Sequence, residues 1–504
     1  SSGLLAQMAL KEGDVSDLVD ESMRAQIGAR VIEEFDLDKT KRRGWEETIE
    51  RAIAASKQGD DVISFPFADA SNVKLPVLTT AAIQFGSRAY GALVRDDQAV
   101  KPKVIGPDPQ GMKAALGERV ATFTNYQLMH LCDEWEPGTD MLCHQLPIVG
   151  TGFRKVYWKP GRNRPVLETT SALSVYVPMD APNLDQAPRV TQTTAYYPYE
   201  IAQNIASGLW RNHDYTVDTR DTQAPILYLE QYRYEDLDKD GLPEPYVVTV
   251  HRETSVVVRM EPAFDPRHLR VWESGAGDAL VRDMPWIDYG FMPNPEGGFY
   301  SIGFGHLLEP LQKAINALIN QIIDAGTRAN AGGGFLSQAL KLRAGTIKVK
   351  PGEYHPINAP QGNVAGAIHT LQFPGPSATQ FQTLEFLLGM AREITATADV
   401  LTGDMPNQQH VAEGTVLALI EQGLQVFVTI YKRLYRSERR CHRRLFGLNA
   451  DFLGADVYRR VVDVAADPRT DFDLRGVDVM PVSDPASVSD MQLLARANFL
   501  AARA

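Results

Sequence analysis

Residues 301–446 lay down, in order, a long helical pattern, a Gly-rich stretch of short β signals, a second helical pattern, a polar loop and a third long helix. This stretch constrains the fold most, because each helix carries an apolar stripe wider than one neighbour covers. The first pattern aligns Leu307, Leu311, Ile315, Leu318 and Ile322, with Leu308, Ile319 and Ile323 widening the stripe. It predicts a heavily buried helix of roughly 25 to 30 residues, about 40 Å long at ~1.5 Å per residue. Glu309 and Lys313 form an i, i+4 pair on its polar side. Gly326 and the run Gly332, Gly333, Gly334 end it. From 335 to 373, short β-prone pieces alternate with Pro and Gly turns, which predicts a compact β module. Helical spacing resumes at 377 through Phe381, Leu384, Leu388, Ala391 and Ile394 and stops near Asp399, before an exposed polar loop at 403–410. The third helix spans 413–446, with Gly423 inside it at a cost of about 1 kcal/mol relative to Ala, where a bend is expected. Such an order suits a ring-shaped conduit better than an enzyme.

The preceding 300 residues read as mixed α+β. Residues 16–57 are helical with an interruption around 36–40, and 79–94 and 110–143 supply further helices. Strands are predicted at 154–157, 169–177, 189–196, 226–234 and 246–259, rich in β-branched and aromatic residues. A chain of 504 residues exceeds one ordinary core, so two or more domains are expected. The chain starts with Ser and ends within a helical pattern at 491–504, so further residues are expected beyond both ends.

Catalytic signatures are nearly absent. No Gly-Lys dipeptide occurs, which excludes a Walker A loop, no His is followed by Glu, and GxSxG is missing. Gly150-Thr151-Gly152 lacks the third glycine of a dinucleotide fingerprint and reads as a turn leading into a strand. Asp236, Asp238 and Asp240 before Gly241 resemble the first positions of a calcium loop. Position 12 is Val247 rather than a bidentate Glu, so an ordinary EF-hand is excluded. Two readings stay open: a reduced Ca2+ site completed by Glu244, or a β-hairpin turn whose Asp side chains cap backbone amides. The aromatic stretch around Trp286, Tyr289 and Phe291, with carboxylates nearby, would suit a carbohydrate groove, yet burial in a core or interface is the reading preferred. Cys132, Cys143 and Cys441 are scattered and odd in number, which predicts buried thiols rather than a disulfide framework.

Charge bears on partners. The net charge of −12 argues against a static DNA binder, which needs a basic face to neutralise phosphates. An acidic wall would let DNA slide; acidity that only maintains solubility is the equal alternative. Lys432, Arg433, Arg436, Arg439, Arg440 and Arg443, with Arg444 and His442 among them, form a basic exception at the predicted end of the third helix. They would contact DNA or a neighbouring subunit, or form a salt-bridged helix end that complements the helix dipole. Val416 to Tyr431, the nearest imitation of a membrane span, is interrupted by Glu421, Gln422 and Gln425.

Several stretches together resemble the portal proteins of tailed bacteriophages, closest in pattern to those of short-tailed phages. They are Ser71-Asn72-Val73-Lys74-Leu75-Pro76, Asp236-Leu237-Asp238-Lys239-Asp240-Gly241 with Glu244-Pro245-Tyr246, and Phe299-Tyr300-Ser301-Ile302-Gly303-Phe304-Gly305. Ala331 to Leu336, Thr397 to Asp404, Ala418 to Gly423 and Pro481-Val482-Ser483-Asp484-Pro485 continue the match. The resemblance covers most of the chain, and its specificity lies in the order of the motifs.

The resemblance implies a non-enzymatic ring subunit, usually one of twelve, at one capsid vertex of the virion, assembled in the host cytoplasm. Double-stranded DNA would pass through it during packaging and ejection without sequence readout. It implies a wing over 1–299, a first stem helix over 300–330, a clip over 331–376 and a second stem helix over 377–402. A tunnel loop over 403–412, a tunnel helix over 413–447 and a return to the wing and a helical crown over 448–504 complete the set. Asp404, Asn407, Gln408, Gln409 and His410 would face DNA. Phe335, Lys341, Arg343, Lys348, Lys350 and Glu353 of the clip would dock the terminase large subunit or a head-tail adaptor. Major capsid and scaffolding proteins are further implied partners, and no cofactor is required. The alternatives from the residues themselves are a calcium-dependent polysaccharide-active enzyme and another ring-forming tail or adaptor protein.

Overall fold

The computed structural model describes residues 13–59, 70–94, 98–215, 220–237, 239, 241, 243–264, 282–331, 334–336, 368–370, 374–395, 413–462, 466–473 and 477–481. The fold is mixed α+β, as expected, and every strand pairing among the described residues is antiparallel. A long helix, α1 (Glu21–Lys57), is followed by α2 (Val77–Leu93), β1 (Val100–Val104), α3 (Met112–Tyr126), a π-helical turn (Gln127–Leu131) and α4 (Trp135–Val149). Next come β2 (Thr151–Lys159), β3 (Arg164–Thr170), β4 (Val175–Tyr176), β5 (Arg189–Tyr196), α5 (Pro198–Ala206), β6 (Ile226–Glu235), β7 (Glu244–His251), β8 (Val257–Pro262) and β9 (Trp286–Gly290). The C-terminal part holds α6 (Phe304–Ala331), β10 (Gly334–Leu336), β11 (Ile368–Thr370), α7 (Ala378–Thr395) and α8 (Glu413–Phe452). Short helices α9 (Ala455–Val462) and α10 (Pro468–Asp471) and strand β12 (Val477–Pro481) follow.

Strands β4 to β8 form a five-stranded sheet in sequence order, and β3-β2-β9 a three-stranded one. The outer edge of β8 is covered, because the amides of Val15 and Arg211 donate to Met260 O at 2.8 Å and Val258 O at 2.9 Å. That occupies acceptors through which an open edge would pair with another chain. β12 returns to pair with β1, and β10 pairs with β11 between the two helices α6 and α7.

α1 starts at an Asp20 cap, whose carboxylate accepts the Met23 amide at 2.8 Å. It is continuous, which corrects the interruption expected at 36–40. The polar residues that suggested a break face the sheet: Asp38 is buried and takes two 2.7 Å bonds from Arg189. One turn on, the fully buried Arg42 donates to the carbonyls of Ala172, Leu173 and Val175 and lies over the Tyr176 ring. A helix face that buries charge against carbonyls and an ion partner reads as a break when only hydrophobic spacing is followed.

Other boundaries also move. The 110–143 run divides at the π-helical turn, and the strand expected over 169–177 divides into β3 and β4. The predicted strand over 246–259 becomes β7 and β8 around a turn at 252–256. α8 shows no break in its helical backbone at Gly423 and runs on to Phe452. Its last turn therefore holds no basic residue, and the arginine cluster lies in mid-helix, beyond help from the helix dipole. Trp286, Tyr289 and Phe291 are buried in the core, as preferred over a carbohydrate groove. All three cysteines are buried free thiols, each pushed up to about 12 by burial. No helix among the described residues is long and apolar enough to cross a membrane.

Candidate functional site

The sequence singled out α6 and its neighbours, and the structure shows how α6 is attached to the rest of the chain. Its N-terminus meets the end of α4, where Gly150 turns the chain at φ +87° into β2. A Cβ on Gly303 would lie 2.6 Å from Gly150 N and 2.7 Å from Pro147 O, so the two backbones touch at a point only glycine allows. The Ser301 amide donates to Thr151 Oγ1 at 2.8 Å, and Ile302 and Met292 exchange backbone bonds. The buried Tyr300 hydroxyl accepts from Arg42 and from the Val177 amide, both at 2.9 Å, and donates to Val177 O at 3.1 Å. The stretch 299–305 is thus a backbone-to-backbone joint.

Further along α6 the attachment changes character. Gln312, Asn316, Asn320 and Asp324 recur every fourth residue on one side of the helix. Opposite them runs the segment 71–78. Asp324 Oδ1 accepts the Ser71 amide at 2.9 Å, Asn320 Oδ1 the Val73 amide at 2.7 Å, Asn316 Oδ1 the Leu75 amide at 2.8 Å, and Gln312 Oε1 the Leu78 amide at 2.9 Å. Asn320 Nδ2 also donates to Val73 O at 3.2 Å, and Gln312 Nε2 to Ala55 O at 3.1 Å. Apolar periodicity alone does not reveal this ladder. The i+4 repeat of acceptor side chains was the legible signal.

The expected stripe of α6 is only partly buried. Leu308 and Ile315 are fully buried, whereas Leu307 and Ile323 are exposed. α7 packs Leu384, Leu387, Leu388 and Ile394 toward the common core and leaves Phe381, Phe386 and Met390 in water. Phe386 retains 66% of its surface, so this helix pair carries apolar area that nothing within the described chain covers.

α8 is held by charge and amide pairs. Glu438, 1% exposed, accepts Arg154 Nη1 at 2.8 and 3.1 Å, the Tyr289 hydroxyl at 2.7 Å and Trp135 Nε1 at 3.2 Å. Burial alone would raise its carboxyl, but the Arg154 charge and these donors hold it below the usual range. Gln127 and Asn449 exchange amide bonds of 2.9 and 2.8 Å. Of the basic cluster, Arg439 and Arg443 both bind the buried Asp478 of β12 at 2.7 Å. Arg440 binds Asp288 at 2.7 Å, Arg444 binds Asp283 at 2.6 Å, and Arg433 donates to Phe291 O at 2.6 Å. Lys432 and Arg436 are exposed and make no ion pair among the described residues.

The acidic loop lies between β6 and β7, as a hairpin turn. Asp236 Oδ2 accepts the Gly241 amide at 2.9 Å, a local bond of the turn-capping kind. Glu244 is buried in β7 opposite Glu235, while Asp238 and Asp240 lie outside the described residues. No group of three or more metal-ligating side chains occurs among the described residues. Of the proposed clip residues, only the Phe335 backbone is described, paired with His369; Lys341, Arg343, Lys348, Lys350 and Glu353 lie outside. Asp404, Asn407, Gln408, Gln409 and His410 also lie outside.

Residues 179–423 match the family model described as Phage SU10 portal protein. The match runs from the loop before β5 through α6 and α7 into α8, and it bears out the resemblance: it supports a phage portal protein. No curated protein matches the chain.

Proposed function

We propose that this chain works as a phage portal protein, one subunit of a ring of twelve at a capsid vertex of the virion. The observation that carries the proposal is the match over 179–423, which takes in the whole helix, β-pair, helix order from α6 to α7. In this reading α6 and α7 are the stem, 331–376 the clip, 403–412 the tunnel loop, and α8 the tunnel helix. The α+β part up to 299 is the wing, and 448–504 returns to it before a crown. The apolar surface of Phe381, Phe386, Met390, Leu307 and Ile323 then meets the stem of the next copy, which removes it from water. The ring is structural, not enzymatic, and requires no cofactor. Double-stranded DNA passes through it, driven by a separate terminase motor that docks with head-tail adaptors at the clip. Capsid and scaffolding proteins meet the outer surface.

The distribution of charge fits a conduit. Four of the arginines on α8 are engaged by Asp478, Asp288 and Asp283 of the same chain. Residual positive charge for passing phosphates falls to Lys432, to Arg436 and to Arg433, whose partner is the neutral Phe291 carbonyl, because 403–412 contains no Lys or Arg. Few phosphate contacts mean low friction. End-on class averages and native mass of the purified protein test the proposal. A closed ring with a hole wider than ~20 Å, the approximate width of duplex DNA implied by its groove dimensions, is expected. A monomer at every concentration, including in the presence of scaffolding protein, would refute it. Phe386→Asp should block ring closure and leave the monomer's melting temperature within about 2 °C, since the side chain it replaces is exposed.

A further inference from the structure

We propose that Asn320 is the positioning residue that sets the direction in which α6 projects, by holding the extended segment 71–75 against the helix as a strap. The inference stands on the ladder alone and does not depend on ring formation. Phe304, Leu308 and Ile315 anchor the first part of α6 in the core, and past Ile315 Asp324, 9% exposed, is the one buried side chain among those described on the helix. Beyond that point α6 is held by the half-buried Ile319 against the core, by α7 and by rungs at 316, 320 and 324. Packing between two helices tolerates a spread of 15–20° in crossing angle. Hydrogen bonds are directional and lose strength within a few tenths of an ångström.

The strap works because two periods nearly coincide. Four helical residues rise about 6.0 Å, and two strand residues about 6.6 Å. Acceptors at 316, 320 and 324 therefore face amides at 75, 73 and 71 in reverse order. The mismatch of about 0.6 Å per step limits such a ladder to roughly three rungs. After the third, the pairing abandons the two-residue step and Gln312 takes the Leu78 amide in the first turn of α2.

Asn320 is the central rung and the only one to engage both backbone groups of its partner. Its Oδ1 accepts the Val73 amide at 2.7 Å and the Ser71 hydroxyl at 2.9 Å, and its Nδ2 donates to Val73 O at 3.2 Å. A carboxamide is the only side-chain group that supplies an acceptor and a donor in the spacing of a β-bridge. Aspartate keeps the acceptor and turns a second oxygen toward the Val73 carbonyl. Leucine supplies neither group. The expected order of function at this position is Asn, then Asp, then Leu.

The test places spin labels at Arg328→Cys near the distal end of α6 and at Gly161→Cys in the exposed loop after β2. The native thiols are buried and do not compete for label. The parent protein should give one narrow distance distribution by pulsed electron resonance. Asn320→Leu should widen it at least twofold and speed amide exchange at Val73 about tenfold, with Asn320→Asp in between. A role confined to stability would lower the melting temperature and leave the distribution narrow. An Asn320→Leu distribution as narrow as the parent's overturns the proposal. If that variant does not fold, Asn320→Asp decides, and an unchanged width with unchanged Val73 exchange overturns it equally.

Discussion

Replacing Glu438 by Leu tests the buried pair that fastens α8 to β2. Arg154 is fully buried, its guanidinium held by Glu438 at 2.8 and 3.1 Å and by Thr139 Oγ1 at 2.8 Å. Without the carboxylate it remains charged, because a guanidinium does not deprotonate in proteins. An uncompensated buried charge costs about 3–5 kcal/mol. The reverse variant, Arg154→Leu, costs less, since Glu438 can take up a proton and still bond Tyr289 and Trp135. With both replaced by Leu, the interior loses the ion pair and its desolvation cost together. The double variant should therefore be more stable than Glu438→Leu alone, with a coupling of at least about 2 kcal/mol. Urea denaturation of the four proteins, followed by the tryptophan emission that Trp135 contributes, closes the cycle. Losses that simply add would refute the argument, because additivity means the two charges do not stabilise each other.

His442, one helical turn from Glu438, is fully buried, and among the described residues neither ring nitrogen has a hydrogen-bond partner. Burial pushes its pKa down to about 4 against about 6.5 when unfolded. The unfolded chain thus binds a proton in that window and the folded chain does not, so stability falls as pH drops from 6.5 toward 4, by about 3 kcal/mol in total. His442→Leu should remove that part of the slope, and melting curves at pH 7 and pH 5 measure it. Asp478, depressed by Arg443 and Arg439 despite its burial, contributes stability that is present above the unfolded carboxylate pKa and lost as pH falls through its lowered folded value. Asp478→Asn should accordingly flatten the acid limb of the stability profile and loosen the β1-β12 pair, read as faster amide exchange at Lys101 and Lys103, the residues opposite Met480 and Asp478. Gly303→Ala places a methyl against Gly150 N and Pro147 O and should cost more than about 2 kcal/mol, while Gly161→Ala, with open space around it, should cost less than about 0.5 kcal/mol; thermal melts compare the two.

How much of this was legible in the sequence follows from the kind of interaction involved. Apolar periodicity located α6, α7 and α8, because helices that bury a stripe must repeat it at 3.6 residues. The β6-β7 hairpin was legible from its Asp-rich turn and β-branched flanks, and the buried aromatics of β9 from the preference of such rings for a core. What periodicity could not show is polar burial. Residues 36–40 looked like a break in α1 because the partner of the buried Asp38, Arg189, is more than a hundred residues away. The arginine run of α8 left a DNA or subunit contact and a salt-bridged helix end both open, because Asp478, Asp288 and Asp283 are distant in sequence. The SNVKLP and FYSIGFG stretches were recognised by resemblance, and their reasons became visible only in three dimensions: one is the strap on α6, the other its joint.

The three ways in which α6 and α8 are attached differ in what they tolerate. A backbone contact such as Gly150 against Gly303 has no slack, since any Cβ there overlaps main-chain atoms. A buried ion pair such as Arg154 with Glu438 resists separation strongly, because parting it exposes two charges to a medium that solvates neither. The amide ladder between 71–78 and α6 is intermediate: its donors exchange for water at modest cost where the strap is exposed, so single rungs open more readily than the joint. Rigidity therefore decreases from the base of α6 toward its distal end. A helix clamped hard at its root and guided weakly along its length can tilt slightly without unfolding the body that carries it. If copies pack stem to stem, that compliance lets each helix adjust to its neighbour while the glycine joint and the buried pair keep the rest of the subunit fixed.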